Sequence, residues 1–191
     1  PLESKVLLAL TRQPDAPPTL DQLAASTGLE PSQWSTAAEW LLAKSLIAVQ
    51  AETVAHIASL TPIGELFFEK YAPIERVLSA AREAGQTGKR LTIQDIQAKE
   101  ALETSDVSKA VGTLKKEGAI LIVQGGCIES TGRNSATAEA MRSLLQELRS
   151  GQRELQSFSE PLRGVLQQHA VKRGNAREPF RIDERVTRSF V

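Results

Sequence analysis

The fold is decided by a pattern that occurs twice, as AAEWLLAKSLI at residues 37–47 and as AVGTLKKEGAI at residues 110–120. In both copies apolar residues recur at the three- and four-residue spacing of one helix face, and a β-prone run follows. The copies lie about 73 residues apart. Because self-similarity at a fixed spacing is the signature of repeated units, the sequence predicts a duplicated structural unit.

The residues around the first copy predict three helices and a β hairpin. We expect the helices at residues 2–10, 20–26 and 31–44. Gly28 ends the second helix, because glycine adopts the left-handed cap at low steric cost. Two β-prone runs, at residues 46–49 and 54–58, are expected to pair as a hairpin. This order is typical of a winged helix, which is a helix-turn-helix with a β wing.

The same order is predicted twice more along the chain. After a linking helix at residues 63–71, the second set has helices at about residues 74–84, 92–100 and 104–117 and a hairpin across Gly125 and Gly126. The third set has helices at about residues 137–149, 152–158 and 159–173 and a hairpin formed by residues 180–183 and 185–191. The predicted fold is therefore mainly α with small β hairpins (α+β), built from tandem winged-helix modules at residues 1–72 (with the linking helix), 73–131 and 132–191.

The composition excludes several classes of protein. The chain has 191 residues, of which 41% are hydrophobic, as in an ordinary globular protein. No apolar run approaches the roughly 20 residues of a membrane-spanning helix, and we expect no leader and no membrane partner. The single cysteine, Cys127, excludes a disulfide framework and a multi-cysteine zinc site, and it suits a reducing cytoplasm. Since the chain begins at Pro1 and ends at Val191, we expect a piece of a longer protein.

The sequence contains no pattern that indicates catalysis. A GxxxxGK[ST] loop, a GxGxxG loop after a strand and an HExxH helix are all missing. Cys127, His56 and His169 have no partners nearby in sequence, and we interpret them as structural or exposed residues. We therefore expect no catalytic site, metal or cofactor in this chain.

The charge is distributed unevenly, although 23 basic and 23 acidic side chains give a net charge of zero. Residues 1–72 carry four basic and eight acidic side chains, whereas residues 131–191 carry eleven and seven. Phosphate contacts need Lys or Arg, so the C-terminal third and the third helix of the second module are the best candidates for meeting a polyanion. A solvated helix face explains the same excess of arginines. The candidate nucleic-acid-binding residues are Lys109, Lys115, Lys116, Arg163, Lys172, Arg173, Arg177 and Arg181.

Three segments carry a resemblance to a known family. They are LTPIGEL at residues 60–66, SKAVGTLKKEG at residues 108–118, and LLQELRSG at residues 144–151, which continues to Leu166 and the basic VKR at residues 171–173. In this order, and over nearly the whole chain, they resemble the N-terminal region of the phenylalanyl-tRNA synthetase α subunit of the archaeal and eukaryotic cytosolic type. The chain departs from that family in having fewer basic residues at positions 166–173.

The resemblance implies that the chain binds tRNA-Phe and positions it for ATP-dependent aminoacylation. The class II catalytic domain of the ligase, which uses ATP and Mg²⁺, would then lie outside this chain. It also implies the synthetase β subunit as a partner in an α2β2 heterotetramer, and a cytoplasmic location. Since the deep, narrow major groove of A-form RNA admits no recognition helix, we expect binding to depend on shape and phosphates.

Two other functions fit the same pattern of helices and hairpins. One is a tandem winged-helix transcriptional regulator, which would read duplex DNA with its third helices. The other is a protein-interaction scaffold, since a fold does not by itself define a function. The third helix of the first module offers only uncharged polar residues, namely Ser32, Gln33, Ser35 and Thr36, and we interpret that module as a packing or protein-contact unit. The chain also has too few aromatic residues for an extended stacking platform.

Overall fold

The computed structural model describes residues 2–11, 18–172 and 177–190, and they form a mixed α+β fold. The helices of this part of the chain are α1 (Leu2–Thr11), α2 (Leu20–Thr27), α3 (Pro31–Ala43), α4 (Pro62–Lys70), α5 (Pro73–Thr87), α6 (Ile93–Glu100), α7 (Thr104–Lys116), α8 (Ala136–Arg149) and α9 (Glu160–Gln168). The strands are β1 (Val49–Leu60), β2 (Ile120–Val123), β3 (Cys127–Ser130), β4 (Arg153–Glu154) and β5 (Phe180–Phe190). They form a sheet in the order β4-β1-β5 and a separate β2-β3 hairpin.

The chain divides into two compact units whose boundaries differ from those of the three predicted modules. The first unit contains residues 1–56 and 184–191, and the second contains residues 57–183. Residues predicted as separate second and third modules share one apolar core, to which α5, α7 and α8 all contribute buried side chains. A segment of about 60 residues buries little surface alone, which is the physical reason for a shared core.

The predicted duplication is present in the helices. Helices α2 and α3 begin and end 73 residues before α6 and α7. The backbone repeats as well, because Gly28 and Ala101 end equivalent helices with φ of 65° and 48°, and Ser45 and Gly118 follow the next helices with φ of 53° and 70°. The buried faces also correspond, as Trp34, Ala37, Ala38 and Leu41 match Val107, Ala110, Val111 and Leu114.

The predicted hairpin at residues 46–58 is wrong, and so is the one at residues 180–191. Each region is one continuous strand, β1 and β5, and the two strands pair with each other. Thr61 contacts Pro179, whereas Glu52, which precedes Thr61, contacts Arg188, which follows Pro179. The two strands are therefore antiparallel. Residues 50–53 contain no Gly, Pro, Asn or Asp, and therefore nothing bends the chain there.

The third predicted helical set is only partly present. Helix α8 is found, but residues 152–158 form β4 and one 3₁₀ turn at Leu155–Ser157 instead of a helix. The reason is that β4 pairs with β1, with Glu154 opposite Ile57. Helix α9 ends at Gln168 rather than near residue 173, because the Val171 N–H donates to the Phe180 carbonyl at 2.8 Å.

The predicted hairpin across Gly125 and Gly126 is confirmed. Strands β2 and β3 pair antiparallel, with Val123 opposite Cys127, and both glycines have a positive φ. The loop between the strands has three residues, Gln124, Gly125 and Gly126, and glycine adopts the positive φ of the last two without steric cost. Leu91 and Thr92 extend this sheet, since the Leu91 carbonyl accepts the Ile128 N–H at 2.7 Å and Thr92 bridges Cys127.

Strand β5 contributes one phenylalanine to each core. Phe180 is fully buried in the core of the second unit, and Phe190 is 2% exposed in the core of the first. Nearby in the first unit, Thr19 bridges Ser189, and Arg188 pairs with Glu52 at 2.7 Å. The first unit therefore depends on residues from the far end of the described chain.

We predict that Phe190→Ala lowers the free energy of unfolding of the first unit by about 3–5 kcal/mol, the usual cost of removing a buried phenylalanine ring. Trp34 and Trp40, the two tryptophans of the chain, lie in this unit, so urea unfolding followed by tryptophan fluorescence reports on it. Val186→Ala is the control, because Val186 is 46% exposed on the same strand. Equal small losses for both variants would contradict the prediction.

The LTPIG segment is fixed by close packing against residues 178–179. The Thr61 side chain caps α4 by accepting the Gly64 N–H, and it donates to the Glu178 carbonyl at 2.8 Å. A Cβ atom at Gly64 would lie 2.2 Å from the Pro179 carbonyl oxygen. Glycine is thus required there by space alone.

We predict that Gly64→Ala lowers the free energy of unfolding of the second unit by about 1–3 kcal/mol, because the added methyl group forces the Pro179 backbone away. Gly112→Ala is the matched control, since Gly112 is also helical and a Cβ there meets no atom within 4 Å. It should stabilise by roughly 0.5–1 kcal/mol. Urea unfolding followed by circular dichroism measures both, and a gain in both variants would refute the steric argument.

Candidate functional site

The candidate basic residues all fall within the sequence range of the second unit, and seven of the eight are described. Arg173 lies outside the described residues. The other seven fall into three groups according to their partners. Lys109 and Arg177 form the first group, Arg163 is the second, and the third consists of Lys115, Lys116, Lys172 and Arg181.

Lys109 and Arg177 are paired with carboxylates. The Lys109 ammonium lies 3.1 Å from Oε1 of Glu178, and the Arg177 guanidinium contacts the Glu103 carboxylate. Glu178 is 9% exposed, so its charge is compensated inside the fold rather than by solvent. Because Glu178 already compensates its charge, Lys109 is a weaker candidate for phosphate than a cation without a carboxylate partner, although its side chain is exposed.

A cavity of about 60 Å³ adjoins these ion pairs, lined by Phe67, Ile74, Met141 and other residues of the second unit. His169 Nδ1 lies 3.6 Å from Oε2 of Glu178 beside it. Burial lowers the pKa of the His169 imidazole below its ordinary value of 6.5, although the Glu178 carboxylate opposes this shift. The imidazole is therefore neutral at pH 7, and this contact is not an ion pair there.

Arg163 is held by its neighbours. It is half-buried on α9, and its Nη1 donates to Oε1 of Gln156 at 2.7 Å. Its Nε is buried without a hydrogen-bond partner. The structure thus gives Arg163 a packing role between α9 and the 3₁₀ turn.

Lys115 and Lys116 form the last turn of α7, and both are exposed. Neither has a hydrogen-bond or ion-pair partner in the described part of the chain. A third cation lies close by, because the Arg133 guanidinium is 3.6 Å from where a Cβ of Gly118 would stand. We call Lys115, Lys116 and Arg133 the α7 basic cluster.

The loop that carries Arg133 is fixed to the end of α7 by Glu117. The hydroxyls of Ser135 and Thr137 donate to the Glu117 carboxylate, the latter at 2.6 Å. Burial raises the pKa of Glu117, but these hydrogen bonds outweigh it and hold the pKa below its ordinary value. Sequence reasoning missed Arg133, since nothing in its own neighbourhood indicates that it lies beside α7.

Lys172 and Arg181 lie on the two segments that the parallel bridge between Ala170 and Phe180 joins. Both basic side chains are exposed, and neither has an ion-pair partner within residues 2–11, 18–172 and 177–190. They offer a second pair of accessible positive charges.

The described residues contain no group of three or more His, Cys, Asp or Glu side chains placed to hold a metal ion. Cys127 is a buried free thiol. No helix in the same residues has the length and apolarity needed to cross a membrane.

Neither protein-family models nor curated proteins give a match to this chain.

We predict that the free energy of unfolding falls as the pH is lowered below 6.5, the ordinary pKa of histidine. Because the folded-state pKa of His169 is depressed, below pH 6.5 the unfolded chain takes up a proton that the folded chain does not. The stability present above that pH is lost as the pH falls toward the folded-state pKa.

His169→Gln should remove this part of the pH dependence in urea unfolding at pH values on both sides of 6.5. His56→Gln, the matched change at the other histidine, should retain the slope that His169 contributes. An unchanged slope in His169→Gln would rule out His169 as its source.

Proposed function

We propose that each copy of the repeat is a winged helix. In the second unit α5 is followed by Thr92, which bridges β3, and then by α6, α7, β2 and β3, an order typical of that fold. In the first unit Thr19 bridges β5 as Thr92 bridges β3, and the two threonines are 73 residues apart. Strand β5 thus takes the place of the second wing strand in the first unit.

We further propose that the chain binds a folded RNA through the α7 basic cluster, with Lys172 and Arg181 as additional phosphate contacts. The observation that carries this proposal is the contrast among the candidate cations. Lys109 is compensated by a buried carboxylate, whereas Lys115 and Lys116 project from the end of a helix without a partner in the described chain. Exposed cations at such a place neutralise phosphates and release counterions.

RNA is favoured over sequence-specific DNA by the composition of α7. Direct readout in the major groove uses Arg or Lys on guanine, Asn or Gln on adenine, and Ser or Thr as less selective contacts. Helix α7 contains no Arg, Asn or Gln, its Lys109 is paired with Glu178, and its exposed positions before the basic turn include Ser105, Ser108 and Gly112. Such a surface supports contacts with backbone and shape, the mode by which folded RNA is recognised.

We propose tRNA-Phe as that RNA, and the N-terminal tRNA-binding region of a phenylalanyl-tRNA synthetase α subunit as the role of the chain. The resemblance of residues 60–66, 108–118 and 144–173 to that family is the support for this choice. The parent would be an ATP- and Mg²⁺-dependent ligase that acts with a β subunit in the cytoplasm. The aminoacylation chemistry would belong to a catalytic domain outside these residues.

We predict that the double variant K115A/K116A weakens binding of a tRNA-Phe transcript. It should also reduce the slope of log affinity against log salt by roughly 0.7–0.9 for each lost phosphate contact. Filter binding at a series of salt concentrations measures both quantities. Lys109→Ala should act on stability through Glu178 instead, with little change in the salt slope.

Lys70→Ala is the matched control, since Lys70 is an exposed lysine in the last turn of another helix of the second unit. A duplex DNA of equal length tests the alternative of a DNA regulator. The proposal fails if K115A/K116A leaves the salt slope for tRNA unchanged, or if the duplex DNA binds more tightly than the tRNA.

A further inference from the structure

We propose that an unpaired nucleotide of the bound RNA docks on a second surface of the same unit, formed by Phe68, Tyr71, Arg142 and Arg149. We call this surface the aromatic–arginine cluster. The proposal rests on the RNA-binding function proposed above and adds the class of RNA segment that this surface takes. The few aromatic residues of the chain include two, Phe68 and Tyr71, that contact the same arginine.

The cluster is built by two arginines from α8 against aromatic rings at the end of α4. The Arg142 guanidinium carbon lies 5.0 Å from the centre of the Phe68 ring and 4.6 Å from that of Tyr71. Its Nη1 donates to the Phe68 carbonyl at 3.0 Å, which fixes its plane. Arg149 lies 4.2 Å from the Phe68 ring centre. Guanidinium groups on aromatic faces are the arrangement on which RNA bases stack.

Arg149 keeps its hydrogen-bond donors available. The Phe68 ring is its contact, and no hydrogen bond or ion pair to it is found within the described residues. It is exposed at the end of α8. A guanidinium stacked on a ring directs its N–H groups outward in its own plane, in the fork that matches phosphate oxygens.

Neither the backbone conformation nor the burial of Tyr71 accounts for a tyrosine at this position. It connects α4 to α5 with φ of 64° and ψ of 148°, a region that is nearly restricted to glycine. Its side chain is not a core residue either, because Tyr71 is 53% exposed. A strained backbone position that carries an exposed aromatic ring, with an arginine already on that ring, indicates that the ring is used for binding.

A groove of about 490 Å³ adjoins the cluster on the side of Phe68 and Arg149, whereas Tyr71 and Arg142 lie outside its lining. Its walls include Ser59 and Gln152, and also the carboxylates of Glu65 and Glu69. These carboxylates repel phosphate, so the phosphate is directed to the arginine side of the groove. The occupant is therefore one nucleotide or two, with the base on the aromatic side, rather than a long single strand.

The test uses the whole chain with two fluorescent probes, a short oligouridine and a blunt duplex RNA of the same length, in anisotropy titrations. Tyr71→Gly removes the ring and also relieves the backbone strain. We expect it to weaken binding of oligouridine about tenfold while leaving duplex binding unchanged. Its thermal stability should be equal to or above that of the wild type, so a loss of binding cannot come from unfolding. Tyr71→Phe keeps the ring and should bind as the wild type does.

Arg149→Lys gives an independent readout, because it keeps the charge but loses the planar fork, and it should also weaken oligouridine binding.

The proposal is overturned if Tyr71→Gly binds oligouridine like the wild type, or if Tyr71→Phe loses as much affinity as Tyr71→Gly. It is also overturned if uridine monophosphate alone competes as well as oligouridine, since the site would then take a free nucleotide. If wild type binds neither probe, the proposed RNA-binding function fails as well. If K115A/K116A weakens duplex binding while Tyr71→Gly changes nothing, only the present proposal fails.

Discussion

The pairing of β1 with β5 is the constraint on which the rest of the structure depends. Arg188 and Glu52, which form an ion pair across it, are 136 residues apart in sequence. Each end of β5 inserts a phenylalanine into one core, Phe180 in the second unit and Phe190 in the first. Neither core is complete until this pairing has formed. The entropy cost of closing a loop grows only slowly with its length. A pairing between such distant residues therefore slows folding more than it lowers stability.

The helices were predictable from the sequence because their signals are local. Thr92 and Asp95 form a capping box at the start of α6, and Thr19 and Gln22 form the equivalent one at α2. Gly125 and Gly126 likewise specify their hairpin by backbone conformation alone. Long strands are different. A β-prone run predicts extended backbone, but packing across the whole chain determines which strand it pairs with. The local pattern at β1 and at β5 therefore predicts two hairpins where the chain forms two long strands.

The candidate site was only partly predictable for a related reason. Counting charges identifies the cations, but it does not identify the carboxylates that compensate them. Glu178 follows Arg177 directly in sequence, yet it pairs with Lys109, which lies 69 residues away. Arg133 shows the opposite case, because the hydrogen bonds of Glu117 bring its loop to the end of α7 and add a cation that no local pattern indicates. The chemistry of such a surface depends on which charges remain after pairing.

The two copies of the repeat show how one scaffold carries two different surfaces. The positions of Lys115 and Lys116 correspond, 73 residues earlier, to Leu42 and Ala43. The last turn of α3 therefore has no Lys or Arg, and its single nearby cation is the C-cap residue Lys44, although the buried positions of that helix match those of α7. It instead exposes Trp40, whose ring lies 3.8 Å from the ammonium of Lys44.

Exposed tryptophan is enriched at protein interfaces, and the ring of Trp40 is contacted by a lysine rather than by an arginine as at Tyr71. The buried face sets how each helix packs, and the exposed face can change without altering that packing. The phosphate binding proposed for the second unit therefore places no requirement on the exposed face of α3. The interpretation of the first unit as a packing or protein-contact unit stays a prediction, and it is compatible with the RNA binding proposed for the second unit.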